Sequence, residues 1–214
     1  MEYRGKSEGY IIENADMILT KIQQSALAGM ILGDGYLQST GERNARLRLE
    51  HKADHKDYLI WKTKLLPQLF QGNPVFLKRL HPISKKTYSY VRQQSNSSPV
   101  LGGLKRIFYP HGKKIIPNNL EKFLLNDISL AIWYFDDGYY SRRDNSVYIY
   151  LGRVSRKEAE IASKVIENRF GIKNAILDKK EKGFVIYISP GKLKDFFGKI
   201  REYAIPIMNY KIPS

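Results

Sequence analysis

The sequence predicts an α+β protein built from two pseudo-symmetric αββαββα halves. Three observations lead there. A short apolar helix closing on aspartate and glycine occurs twice, as Ser25-Ala-Leu-Ala-Gly-Met-Ile-Leu-Gly-Asp-Gly35 and as Ser129-Leu-Ala-Ile-Trp-Tyr-Phe-Asp-Asp-Gly138. Superposed, Leu27-Ala28 matches Leu130-Ala131, Asp34-Gly35 matches Asp137-Gly138, and a tyrosine follows each glycine (Tyr36 and Tyr139). One such ending is an ordinary helix stop, because glycine readily takes left-handed backbone. Two of them about half a chain apart indicate an internal duplication. After each copy, stretches of two-residue hydrophobic period alternate with stretches of helical period. That is the pattern of helices layered on one face of an antiparallel sheet.

Residues 1–24 read as an N-terminal extension with a short helix around 16–22. The first half, 25–112, opens with the first motif helix, which is apolar on every side and therefore buried. Tyr36-Leu-Gln38 and, across the polar turn 39–44, the strictly alternating Arg46-Leu-Arg-Leu-Glu50 form a hairpin with one apolar and one charged face. Tyr58, Leu59, Trp61, Leu65, Leu66 and Leu69 give helical spacing over 54–70, with Pro67 placed to end or kink it. Residues 75–80 and 87–94 pair around Pro82-Ile-Ser-Lys-Lys86, and a helix over 99–108 closes the half. A charged, turn-rich linker, 113–126, leads to the second half, 127–214. There Tyr139-Tyr140, the turn 142–145 and a strand at 147–151 follow the motif helix. Ser155-Arg-Lys-Glu158 is a capping box that opens a helix running to Phe170 and stopping at Gly171. Residues 175–177 pair with 184–188 around Lys179-Lys-Glu-Lys-Gly183. Pro190 starts the last helix, through Leu193, Phe196, Phe197 and Ile200.

With 43% hydrophobic and 12% aromatic residues among 214, the chain has ample apolar material for one or two real cores. Its 36 basic against 21 acidic residues leave a net charge of +15. Such a balance points to a polyanionic partner, nucleic acid first and an anionic membrane surface second. There is no cysteine, which excludes disulfides and thiolate zinc sites. Glu2, Glu8, Glu13 and Asp16 stand where a signal-peptide core would lie. No apolar run approaches the roughly 20 residues of a bilayer span. The expectation is a soluble intracellular chain without a membrane partner, its compartment open among nucleoid, cytoplasm, nucleus and organelle.

Asp136 and Asp137 fall at the C-terminal end of a buried helix, where the helix dipole is itself negative and burial raises the cost of charge. A basic side chain or a metal cation must compensate. If helices cover one sheet face, the other is open to a partner. Its polar strand positions and turn tips are expected to present Arg46, Arg48, Lys78, Arg79, Tyr88, Tyr90, Arg92, Arg142, Arg143, Tyr148, Tyr150, Lys179, Lys180 and Tyr187. Singly, each reads as a solvated strand residue. Together they suit DNA, because arginine grips phosphate and reads guanine edges, and strands can enter the major groove.

The stretches Leu27-Ala-Gly-Met-Ile-Leu-Gly-Asp-Gly35 and Leu130-Ala-Ile-Trp-Tyr-Phe-Asp-Asp-Gly138 resemble the paired signature helices of the LAGLIDADG homing endonucleases. The likeness is to single-chain members with two motifs, such as those of mitochondrial introns. It extends to Lys113-Lys-Ile-Ile-Pro-Asn-Asn-Leu120 and Met208-Asn-Tyr-Lys-Ile-Pro213, and in domain order to everything after the extension. The resemblance implies a DNA-binding saddle of antiparallel sheets in flanking major grooves, with the motif helices side by side at the centre. By position, Asp34 and Asp137 would be the catalytic metal ligands over the minor groove. Gly33 and Asp136 would offer backbone carbonyls to the metal, and Lys114 and Lys211 match the lysines the family places near the scissile phosphates.

The implied activity is that of a site-specific endonuclease of double-stranded DNA. It would act as a monomer, hydrolysing one phosphodiester in each strand of a long, loosely palindromic target. Mg²⁺ is the implied cofactor, with Mn²⁺ substituting and Ca²⁺ binding without supporting cleavage. Such a cation would also answer the charge at the helix ends. The alternative on the same fold is a binding module: an RNA maturase with intron RNA as partner, or a non-cleaving DNA-binding protein. Gly29 and Gly33, four apart, allow two helices to approach closely. The second motif departs from the first, with Trp133 at the position of Met30 and Asp136 opposite Gly33, so unequal metal occupancy is expected.

Other constellations are weaker. His51 and His55 are four apart but lack the glutamate of His-Glu-x-x-His and a third ligand nearby; they read as a charged strand-to-helix junction. Trp61 and Trp133 read as core, and Lys105-Arg106 as a solvated helix face.

Overall fold

The computed structural model of the chain describes residues 13, 14 and 17–213; the rest of the expected extension, with Asp16, Glu2 and Glu8, lies outside them. Strands β1 (Glu13–Asn14) and β2 (Met17–Ile18) pair antiparallel ahead of the first helix. The helix expected around 16–22 is therefore not found at Met17 and Ile18. Helix α1 (Lys21–Leu32) instead starts four residues before Ser25, because Thr20 and Gln23 exchange backbone-to-side-chain hydrogen bonds. That is a capping box with glutamine in place of glutamate.

The first half continues with β3 (Tyr36–Ser39), β4 (Ala45–Lys52), α2 (Lys56–Lys64), β5 (Val75–Leu80), β6 (Thr87–Gln94) and α3 (Pro99–Phe108). Helix α2 stops at Lys64 rather than Phe70, since Pro67 cannot donate within a helix and clashes with the turn before it. The apolar pattern outlives the helix: Leu66, Leu69 and Phe70 are all buried. The second half repeats the order with α4 (Asp127–Asp137), β7 (Gly138–Ser141), β8 (Ser146–Gly152), α5 (Arg156–Phe170), β9 (Ala175–Asp178), β10 (Phe184–Ile188) and α6 (Leu193–Ile200). The Ser155/Glu158 capping box forms, and Gly171 ends α5 with φ 68.

Each half carries one four-stranded antiparallel sheet, in the orders β3-β4-β6-β5 and β7-β8-β10-β9. Ala45, Leu47 and Leu49 of β4 are fully buried, and the arginines between them face away from the helices. Pairing of Arg48 with Gln94, Glu50 with Arg92 and Arg79 with Tyr88 puts all of these on the open face. Lys78 pairs with Ser89, so it lies on the opposite face from Arg79. Grouping Lys78 with the open-face residues is corrected by the alternation itself, since consecutive strand residues cannot share a face.

A single core cluster runs through both halves, with α1 and α4 packed together at its centre. Gly29 makes the close approach possible: a Cβ there would stand 2.6 Å from the carbonyl oxygen of Ser129. At Gly33 it would fall inside the Asp136 carboxylate. Among the described residues, no helix is long and apolar enough to cross a membrane.

Candidate active site

The C-terminal ends of α1 and α4 lie together because the helices are parallel partners along their small-residue faces. Asp34 follows α1 directly after its cap Gly33, and Asp137 is the last residue of α4. Lys114 Nζ donates to the carbonyl of Gly33 at 2.6 Å and of Leu32 at 3.4 Å. Lys211 Nζ donates to the carbonyl of Phe135 at 2.6 Å and of Asp136 at 3.3 Å. Each lysine thus caps the negative end of one motif helix, supplying the compensation the sequence called for. Burial pulls both ammonium groups below their ordinary pKa, with the surrounding aspartates opposing the shift.

The three carboxylates differ. Burial, then the charges of Asp136 and Asp34, push the Asp137 carboxyl up to about 7. Burial and Asp136 also raise Asp34, whose side chain remains 46% exposed. The Asp136 side chain is wholly buried. Its Oδ1 accepts from Lys62 Nζ and the Tyr58 hydroxyl, both at 2.9 Å. Its Oδ2 accepts from Lys62 Nζ and the Asp34 amide, both at 3.0 Å. Burial is the largest single influence and would raise Asp136, but the Lys62 charge and hydrogen bond together with the Asp34 amide hold the carboxyl below its ordinary value. The Asp136 side chain is a brace from α4 to α2 and to the backbone of the first motif, in the space that Gly33 leaves.

His51, the last inward-facing residue of β4, is 7% exposed. Its Nδ1 lies 3.5 Å from Asp34 Oδ2, and its buried Nε2 has no hydrogen-bond partner. Burial and then the Lys62 charge lower its pKa to about 3. It is a neutral wall of the site, not the charged junction expected. Together with Asp34, Asp136, Tyr58 and Lys211 it lines a cleft of about 380 Å³.

The open sheet faces begin at these aspartates, since β3 starts at Tyr36 and β7 at Gly138. On the first, Glu50 accepts from Arg79 at 2.6 and 2.8 Å and from Arg92 at 2.7 Å. Arg48 stands 5.2 Å above the Tyr36 ring, and Arg46 donates to Gln94 at 3.4 Å. Tyr88 is exposed and Tyr90 half-buried under Arg79. On the second, Tyr139, Tyr148 and Tyr187 form a row, with Lys179 5.7 Å over Tyr148 and Tyr150 exposed beside it. Arg142 and Arg143 project from the β7–β8 turn and Lys180 from the β9–β10 turn.

Trp133 is buried and Trp61 packs on the core, as expected. Lys105 is not simply solvated: it donates to the Leu37 carbonyl at 3.0 Å over the rings of Tyr36 and Tyr109. The sequence reading missed Lys62, Tyr58 and His51 as parts of the site. A signal for Lys62 existed, since it falls in the buried series Tyr58, Leu59, Leu66, where a lysine needs a partner.

The donors converging here are carboxylate and carbonyl oxygens in a crowded negative field, a set that fits a hard divalent cation. The model for the LAGLIDADG DNA endonuclease family matches residues 24–196. The chain belongs to that family. It is 28% identical to the probable intron-encoded endonuclease 1 of Wickerhamomyces canadensis, over 91% of this chain and 85% of the relative. It is 22% identical to the cytochrome b mRNA maturase bI2 of Debaryomyces hansenii, over 93% of this chain and 76% of the relative. The fold matches the homing endonuclease I-WcaI bound to its DNA recognition sequence with a TM-score of 0.82 and 26% identity, covering 91% of this chain and 87% of that one. The two-motif LAGLIDADG architecture, and with it DNA endonuclease function, is therefore that of this chain.

Proposed function

We propose that this LAGLIDADG protein cuts a long, loosely palindromic duplex site as a monomer, hydrolysing one phosphodiester per strand with divalent ions held at Asp34 and Asp137. The observation that carries this is the pair of aspartates at adjoining helix ends, each end capped by its own lysine. Bound there, the ions would activate water and offset charge on the leaving oxygen. The carbonyls of Gly33 and Asp136 are the additional oxygen donors within reach. Lys114 and Lys211 stabilise charge at the scissile phosphates. The residues of the open sheet faces hold the duplex, through arginine in the first half and through tyrosines and turn lysines in the second. Mg²⁺ is the ion expected, with Mn²⁺ substituting and Ca²⁺ supporting binding alone.

An RNA role is the second reading, favoured by the maturase relative. Cleavage is preferred because RNA binding alone has no need of two converging carboxylates. The decisive experiment incubates the protein and Mg²⁺ with the DNA flanking its own gene, joined as if uninterrupted. Double-strand cleavage at the junction supports the proposal; binding without cleavage across added Mg²⁺ and Mn²⁺ overturns it.

A further inference from the structure

Resting on the reading of Asp34 as an ion ligand, we propose that His51 is a second protein ligand at the same position, donating through Nδ1. This position would then accept a divalent transition ion such as Mn²⁺ more readily than the position at Asp137. Nδ1 and Asp34 Oδ2 are 3.5 Å apart. That is too long for a good hydrogen bond, and it is a span across which two donors could share one cation. The His51 side chain is 5% exposed, lines the cleft and packs 5.1 Å from the Tyr58 ring, so it is held in place. Nδ1 makes no hydrogen bond among the described residues, although it is aimed at a half-exposed carboxylate.

The three side chains Asp34, His51 and Asp136 bring donor atoms within 4.8 Å of one another. Asp136 is not available as a donor, because both its oxygens are filled by Lys62, Tyr58 and the Asp34 amide. Of the side chains Asp34 and His51 remain, leaving the other coordination positions to the main-chain carbonyls already named, water and phosphate oxygens. A mixed nitrogen and oxygen set suits Mn²⁺ or Co²⁺ better than Mg²⁺, which favours all-oxygen shells. In the second half Leu151 takes the place of His51, so no imidazole stands beside Asp137. The two halves would therefore prefer different ions.

The test is pulsed electron paramagnetic resonance of Mn²⁺ added to the full chain. The expected result is nitrogen coupling on the tighter-bound Mn²⁺ that changes frequency when the protein is labelled with ¹⁵N-histidine. His51→Leu should abolish the coupling and weaken that site at least about tenfold, since even partners outside the coordination shell cost roughly 10–100-fold. Its Mg²⁺ affinity should move far less, and His55→Ala should keep the coupling. Bound Mn²⁺ without nitrogen coupling in the unmutated protein overturns the proposal while leaving Asp34 a ligand. A tight site that survives Asp34→Asn overturns both. If His51→Leu does not fold, coupling that depends on the histidine label and persists in His55→Ala still assigns the ligand to His51, and its absence from the unmutated protein still overturns the proposal.

Discussion

The two halves share a backbone and a pair of aspartates at adjoining helix ends but not the walls around them. The register pairing Tyr36 with Arg48 and Tyr139 with Tyr148 aligns Arg48 with Tyr148, Glu50 with Tyr150 and His51 with Leu151. The same offset carries Lys62 onto Ala162, both wholly buried. Around Asp34 the wall is His51, Tyr58 and a buried ion pair; beside Lys114 it is a cleft of about 240 Å³ lined by Leu32, Trp133 and Leu151 with Lys113 and Arg153. The sheets diverge likewise, arginine and glutamate against a row of tyrosines. A symmetric dimer cannot do this, since any change in one copy appears in the other. Fusing two halves in one chain frees each wall to change on its own, while helix ends that must meet stay alike.

The largest expected effects test what the halves share. Asp34→Asn and Asp137→Asn should each abolish double-strand cleavage, a loss of several kcal/mol or about 10³-fold in rate, with DNA binding largely kept. Full cleavage by the double variant would remove both aspartates from the chemistry. Next comes a difference between halves. Lys62→Met strands the buried Asp136 charge and should cost about 3–5 kcal/mol in urea unfolding, with much of that recovered by adding Asp136→Leu. Additive costs would mean that the pair is not coupled.

Lys114→Met and Lys211→Met should slow cleavage about 10²-fold or more with little change in affinity, since the proposed mechanism sets them against charge developing at the scissile phosphates. Equal losses in binding and rate would reduce them to phosphate contacts. The smallest effect separates the two sheets. DNA affinity should fall steeply with salt, and Arg48→Gln or Arg92→Gln should each lower the slope of log K against log salt by about 1. Tyr148→Phe and Tyr187→Phe should leave that slope unchanged while altering base preference. Equal slopes for both pairs would erase the contrast between the faces.

Most of the scaffold was legible because its signals are local. Two-residue alternation places β4, the turn around Pro82–Lys86 places β5 and β6, the Ser155/Glu158 box starts α5, and repetition exposes the duplication. The long-range contacts were not legible. Nothing near Asp136 in sequence says that its partner is Lys62, 74 residues away. His51 read as charged because its burial depends on α2 folding across β4. The error at Lys78 was avoidable, since its neighbour Arg79 already claimed the open face. Helix α2 was drawn too long because its apolar residues stay buried after the helix has ended.

The brace from Asp136 also bears on whether this chain could be divided. A symmetric pair of first halves would set Gly33 against Gly33 and leave each Lys62 a buried cation without its carboxylate. A symmetric pair of second halves would press Asp136 against Asp136, with Ala162 where the ammonium should be. The ancestor of the duplication could have worked as two identical subunits, but neither descendant half retains that option. The glycine and the aspartate are complementary across one chain, so neither half paired with its own copy would supply the other's partner.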